Sequence, residues 1–159
     1  MASDIIIRQY ESADAERVWT VHELALRSSP LTFVEDAPAD DDITAITERY
    51  LDAGGEFLVG RVDEEVVAIG GFQPRDDETV EIRRMRVHPD HQRHGYGTEL
   101  LEALEERARE RGVDRCTLDT SEHLTPGPSL YEKHGYRETH REIHPATGDE
   151  HIYYENVLY

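Results

Sequence analysis

The 159-residue sequence holds one cysteine, one lysine, one tryptophan and no apolar run near the length of a membrane span. Each scarcity excludes something. Cys116, being alone, cannot close an internal disulfide, which rules out a cystine-stapled scaffold and fits a reducing, intracellular setting. A spanning helix needs about 20 mainly apolar residues, so no membrane role is expected. The opening "MASDIIIRQYESADAE" lacks the layout of a secretory leader. The expectation is a soluble, cytoplasmic protein with one domain over residues 1–159, long enough to bury a hydrophobic core. No repeat or low-complexity tract divides it. The acidic stretch "EDAPADDD" at 35–42 is too short for an interdomain linker.

The near-absence of lysine gains meaning beside the charge. Asp and Glu number 35 against 17 Lys and Arg, for a formal net charge of −18. The acidic residues run from Asp4 to Glu155 rather than forming a tail, and arginine carries the positive charge everywhere except Lys133. Such a surface attracts cationic partners such as polyamines or basic peptides, and nucleic acid is not expected among its partners. The even spread and the arginine bias favour a second explanation, adaptation to high salt. There the Debye length shrinks to about 3 Å and long-range steering fades.

Hydropathy patterning predicts a mixed α/β chain. "DIIIRQY" reads as a first strand. "DAERVWTVHELALRSS" reads as a helix with Val18, Val21, Leu24 and Ala25 inward, Trp19 in the core and His22 at the surface. A second helix is expected over "DDITAITERYLDAG", burying Ile43, Ile46, Tyr50 and Leu51, with Gly54 beyond its end. "EFLVGRV" and "EVVAIGGFQP" flank a short acidic turn as a hairpin. In "TVEIRRMRVHP" the apolar residues fall on even positions at Val80 and Ile82, then on odd ones at Met85 and Val87. A strand alternates with period two, so the parity switch predicts a β-bulge near Arg83–Arg84. "TELLEALEERARERG" is a strongly amphipathic helix with Gly112 as its stop, and "RCTLDTS" a buried strand. "TPGPSLYEKHGY" reads as a short helix capped by Thr125, with both prolines in its first turn and Gly135 at its end. The tail reads as two strands about a turn. The sum is an antiparallel meander, a main helix, then a strand–helix–strand passage.

Between the fourth strand and the main helix stands "HQRHGYGTELL", residues 91–101. Two glycines opening a helix point to a backbone that a ligand must approach closely, and unpaired helix-start amides favour an anion. Two familiar phosphate loops are excluded. A dinucleotide fingerprint needs a third glycine where Leu100 stands, and a P-loop needs Gly-Lys-Ser/Thr where the chain has Gly97-Thr98-Glu99. Residues 83–94 also place Arg83, Arg84, Arg86 and Arg93 against Asp90 alone, a local reversal of sign suited to a polyanion.

The ordered set of strand, "HPDH" loop, Gln92-Arg93-His94-Gly95-Tyr96-Gly97 and helix resembles the GNAT superfamily of N-acetyltransferases. That family's acyl-CoA loop follows the pattern Gln/Arg-x-x-Gly-x-Gly/Ala. "VEIRRMRVHP" resembles its bulged central strand, "SLYEKHGYRE" its later Leu-Tyr-Glu motif, and "HIYYENVLY" its closing strand. The likeness is best over residues 56–138. It implies a central mixed, mostly antiparallel sheet flanked by helices, and transfer of an acetyl group from acetyl-CoA to an amine acceptor by direct attack in a ternary complex. The amides of residues 93 to 98, including His94 and Thr98, would hold the pyrophosphate. Met85, Arg86 and Val87 would line the pantetheine arm, with a backbone amide near Met85 as the oxyanion donor.

Tyr131 matches the family tyrosine that protonates the departing thiolate, a role a phenol can fill at neutral pH. Glu81 stands where several members carry a base acting directly or through water, with Glu78 and Asp119 as weaker substitutes. Cys116 reads as core rather than nucleophile. His88, His91 and His94 recur every third residue, yet no cysteine joins them and Arg93 lies beside them. A solvated or phosphate-facing loop is expected there, and no metal. Many members carry an asparagine several residues before the motif tyrosine; here Leu124 and "TPGP" stand there. The acceptor itself is not legible, although Glu35 and Asp36 would suit a cation. A non-catalytic acyl-CoA sensor and a peptide-directed enzyme stay open as alternatives, as does a homodimer through the sheet edge or final strands.

Overall fold

The computed structural model describes residues 5–29, 41–121, 124, 127–145 and 148–158. Its spine is a seven-stranded sheet in the order β1-β2-β3-β4-β5-β7-β6. β1 (Ile6–Gln9), β2 (Glu56–Val62), β3 (Glu65–Pro74) and β4 (Thr79–Val87) form the antiparallel meander. β5 (Arg115–Thr120) joins β4 in parallel, and β6 (Arg137–Ile143) and β7 (Glu150–Val157) follow antiparallel. The β2–β3 turn is made by Asp63 and Glu64, both at positive φ, without a glycine.

Helices cover both faces. α2 (Tyr96–Glu110) lays Leu100, Leu101, Leu104 and Ala108 against Leu58, Ala68, Phe72, Val80, Ile82 and Met85. α3 (Pro128–Lys133) adds Tyr131 to the same core. On the opposite face α1 (Ala15–Arg27) packs Val18 and Val21 with Phe57, Val59, Val66 and Ile69. Burying a side chain of this size contributes about 1.5–3 kcal/mol, so these two layers hold the sheet from both sides.

Three expectations need correction. In α1 the buried stripe is Val18, Val21, His22 and Ala25, so His22 is interior while Leu24 is 37% exposed. The i, i+3, i+4, i+7 spacing that fixes the stripe places residue 22 on it and residue 24 off it. Trp19 is only partly buried at the edge of the core, its ring 5.3 Å from that of His22. The segment after residue 41 is not a regular helix: turns at 41–44 lead into a single π turn, Thr47–Leu51. Ile43, Ile46 and Tyr50 are nonetheless buried as expected, and Gly54 sits at φ 86°. The start of α3 is capped by Gly127 with Pro128 in its first turn. The expected cap Thr125, like Glu35 and Asp36, lies outside the described residues.

The bulge is where the parity switch puts it. Opposite β3, Ile69 pairs with Arg86 and Gly71 with Arg83, leaving one residue of β3 against two of β4. Arg84 takes φ 61°. Val80 and Ile82 are buried before the bulge, Met85 and Val87 after it. The β3 residue facing it is Gly70, where a Cβ would lie 2.6 Å from the Met85 sulfur, so a larger residue would make that side chain shift.

Candidate active site

β4 and β5 pair only at Thr79–Glu81 with Arg115–Thr117. Beyond that point the bulge turns β4 away and the two strands part. The opening is a cavity of about 280 Å³ lined by Ile82 through Arg86 on one side and Leu118 through Ser121 on the other. Tyr131, Leu124, Leu26, Asp149 and His151 close it. A second hollow of about 140 Å³ follows where β4 ends, lined by Val87, His91, Gln92, Arg93, Gly95, Tyr96, Gly97, Thr98 and Leu130. Met85 and Arg86 thus sit in the first cavity, and the glycine-loop residues in the second.

The loop is built by local chemistry. Gln92 donates from Nε2 to the Val87 carbonyl at 3.0 Å, and His88 Nδ1 accepts from the Asp90 amide at 3.1 Å. His94 Nδ1 donates to the His91 and Gln92 carbonyls at 3.1 and 2.9 Å, and its ring stacks on Tyr96 at 5.5 Å. Two of the three spaced histidines therefore brace backbone, and burial lowers the His88 pKa, with the Arg17 charge adding to it. Arg93 and Gly95 take φ 67° and 81°, which curls the chain into the start of α2. No side chain caps that start, and the first intrahelical bond runs from Glu99 N to Gly95 O. The amides of Tyr96, Gly97 and Thr98 precede it and face the positive end of the dipole. These amides, with Arg93 beside them, fit a pyrophosphate. A Cβ built on Gly95 meets nothing within 4 Å, so glycine is required there by its positive φ rather than by crowding.

Tyr131 is 3% exposed and lines the first cavity. Its ring lies edge-on to Tyr136 at 5.8 Å. Burial pushes its pKa well above the ordinary phenol range; the Arg86 charge opposes this and the Asp119 charge adds to it. The group is thereby kept as an O–H donor, the form a leaving thiolate requires.

The structure does not bring Glu81 into that cavity. Its carboxylate is ion-paired with Arg75 and lies 3.8 Å from Arg83 Nε, and it lines a separate hollow with Thr117, His140 and Tyr153. Asp119 does line the cavity, where its Oδ2 is 2.9 Å from His151 Nδ1. Glu78 stands at the β4 entry, its carbonyl accepting from the Asp114 and Arg115 amides. Cys116 is fully buried in the core, and burial pushes its thiol up to about 12.

The four arginines of residues 83–94 divide: Arg83, Arg84 and Arg86 line the first cavity and Arg93 the second. Arg84 is not available to a ligand: it grips Asp42, with 3.0 Å from Nε and 2.6 Å from Nη2. Burial alone would raise the Asp42 pKa, but the Arg84 hydrogen bonds and charge, helped by the Tyr50 hydroxyl and Arg83, hold it at about 2. His151, Ser121 and Asp42 carried no local signal, because nothing in their neighbours marks them and each reaches the site through distant pairing.

A bulged strand splayed from a parallel neighbour, a buried tyrosine in the gap and a glycine-opened helix at its end make up the candidate site. Comparison with known proteins identifies the family. The family model for the Acetyltransferase (GNAT) family matches residues 12–136, and the chain belongs to that family. It is 30% identical over 120 residues to human N-acetyltransferase 8, covering 72% of this chain and 53% of that protein. The chain spans about half the length of the curated relatives it matches. In fold it is similar to a GNAT-family acetyltransferase of Staphylococcus aureus Mu50, with TM-score 0.84, 20% identity and 98% and 99% of the two chains covered. It is likewise similar to YncA of Salmonella typhimurium, a structure described with its cofactor acetyl-CoA, at TM-score 0.80, 20% identity and 99% and 95% coverage. The expected mixed sheet flanked by helices is the fold observed. Among the described residues no helix is long and apolar enough to cross a membrane.

Proposed function

We propose that this chain is an acetyl-CoA-dependent N-acetyltransferase that moves an acetyl group to a primary amine by direct attack in a ternary complex. The observation that carries the reading is the course of β4. It runs from a cavity holding a buried, protonated tyrosine to a hollow rimmed by the unpaired amides of α2. The named N-acetyltransferase relatives support it.

Acetyl-CoA, when bound, supplies an acyl thioester. The amides of residues 93 to 98 and the Arg93 guanidinium hold its phosphates, and the edge of β4 at Met85, Arg86 and Val87 receives the pantetheine arm. The Met85 amide faces the carbonyl oxygen as it gains charge. Tyr131 gives its proton to the sulfur as the C–S bond breaks. No acyl-enzyme on Cys116 is needed, and its buried thiol is unsuited to one. Glu81 reaches the cavity only through Arg83, so as a base it would work through water.

Retention of the tyrosine in the cavity favours catalysis over acyl-CoA sensing. The cavity of about 280 Å³ opens to solvent, so both a small amine and a peptide N-terminus stand as candidate acceptors. We also infer adaptation to high salt from the charge of −18 and the near-absence of lysine. The test is release of free CoA from acetyl-CoA across a panel of primary amines and N-terminal peptides in molar KCl. Amine-dependent release is expected, and the acceptors that support it fix the substrate class; binding of acetyl-CoA without release by any amine would favour the sensor.

A further inference from the structure

We propose that His151, held by Asp119, is the general base that deprotonates the acceptor amine; this rests on the acetyltransferase reading above. The two residues lie 32 positions apart and meet only through the sheet. Asp119 on β5 pairs in register with Tyr153 on β7, so His151, two residues earlier on β7, is its diagonal neighbour on the same face. Asp119 Oδ2 is 2.9 Å from His151 Nδ1, and both side chains are about one-third exposed. Both line the cavity that contains Tyr131 and the splayed backbone of residues 82–86.

The hydrogen bond fixes the tautomer. A proton on Nδ1, donated to the carboxylate, leaves the lone pair on Nε2, and the carboxylate stabilises the imidazolium once that atom is protonated. Imidazole also has the better intrinsic value. An unperturbed imidazole titrates near pH 6.5, close to working pH, whereas the Glu81 carboxylate pairs with Arg75 and Arg83 outside this cavity. The charged groups around the ring are Asp119 on β5, Glu142 across on β6, Asp149 before β7, His144 stacked at 5.8 Å, and Arg83, Arg84 and Arg86 from β4. Among these, Arg84 is paired with Asp42.

The proton balance closes. The acceptor ammonium gives one proton to Nε2, which passes it to solvent. The N–C bond then forms as the C–S bond breaks, and Tyr131 protonates the sulfur. The second proton, released from nitrogen, returns through water to the Tyr131 oxygen. One ammonium and one thioester yield one amide, one thiol and one solvated proton.

The experiment is the pH profile of kcat/KM for wild type, His151→Gln and Asp119→Asn with the best amine, alongside acetyl-CoA affinity by calorimetry and NMR titration of the His151 ring. Wild type should show an acidic limb in the histidine range that matches the ring's own titration. His151→Gln should lose the limb and about 10²-fold in kcat/KM at neutral pH, with acetyl-CoA affinity unchanged. Asp119→Asn should keep a limb but move its midpoint, and the ring's titration, to lower pH. A limb that survives His151→Gln overturns the assignment and leaves the acetyltransferase reading standing. Wild type that binds acetyl-CoA but turns over no amine overturns both.

Discussion

Arg84 and Asp42 are joined by two hydrogen bonds across 42 residues of chain, and the joint lies at the bulge of β4. Arg84 sits at φ 61°, a strained conformation for a residue with a Cβ. Its side chain is 11% exposed and that of Asp42 5%. The pair therefore fastens the segment at 41–51 to the one strand distortion on which the cavity depends, and Tyr50 donates its hydroxyl to the same carboxylate.

Replacing Asp42 with Asn should destabilise the protein by about 3 kcal/mol, because it removes the carboxylate that pairs with the nearly buried Arg84 charge. The linked pH dependence has a definite sign. Asp42 titrates at about 2 when folded, against an ordinary 3.8. Its contribution is therefore fully present above the unfolded value and lost as pH falls through the folded one, a change of about 2 kcal/mol. Denaturant melts between pH 5 and 2 should show that loss in wild type and a smaller one in Asp42→Asn.

Tyr131→Phe keeps the ring packing against Tyr136 and removes only the hydroxyl. Turnover should fall about 10²-fold, the scale of a lost general acid, while acetyl-CoA affinity stays near wild type. Steady-state rates with parallel calorimetry separate the two. Equal kcat in both proteins would remove Tyr131 from the mechanism.

Cys116 is fully buried and its thiol is pushed up to about 12 by burial, with the Tyr136 hydroxyl opposing. A thiol-reactive dye should label none of it in the native state and all of it in denaturant. Labelling of folded protein at the rate of a free thiol would contradict its place in the core.

The charge of −18 predicts a stability that rises with salt. Repulsion among the carboxylates is screened as the Debye length falls from about 10 Å at 0.1 M to about 3 Å at 1 M. The thermal midpoint should climb between those two KCl concentrations. A flat or falling midpoint would leave the composition without a role in salt tolerance.

What could be read in the sequence was what depends on neighbours along the chain. The β4 bulge was legible because alternation changes parity between Ile82 and Met85, and the glycine loop because its residues act through adjacent amides. The α1 stripe was misjudged at two positions: a polar His22 occupies an interior place and an apolar Leu24 an outer one, and helical phase overrides side-chain type. The segment after residue 41 kept its apolar spacing but not its geometry, since one π turn buries the same side chains that a regular helix would. Arg84 counted toward the local positive charge because its partner Asp42 is remote. Asp119 and His151 looked unrelated because only the β5–β7 pairing brings them together. Non-local contacts of this kind leave no periodic trace.

The most direct test of the account is calorimetric binding of acetyl-CoA in molar KCl, comparing wild type with a Gly95→Glu, Gly97→Glu double variant. Repulsion of the phosphates is the intended effect; because Gly95 sits at φ 81°, where a glutamate is strained, a Gly95→Ala control reports the cost of the backbone change alone. The account predicts saturable binding by wild type and none by a variant whose circular dichroism is unchanged. Wild-type protein that is folded and binds no acetyl-CoA, or a folded variant that binds as tightly as wild type, would contradict it.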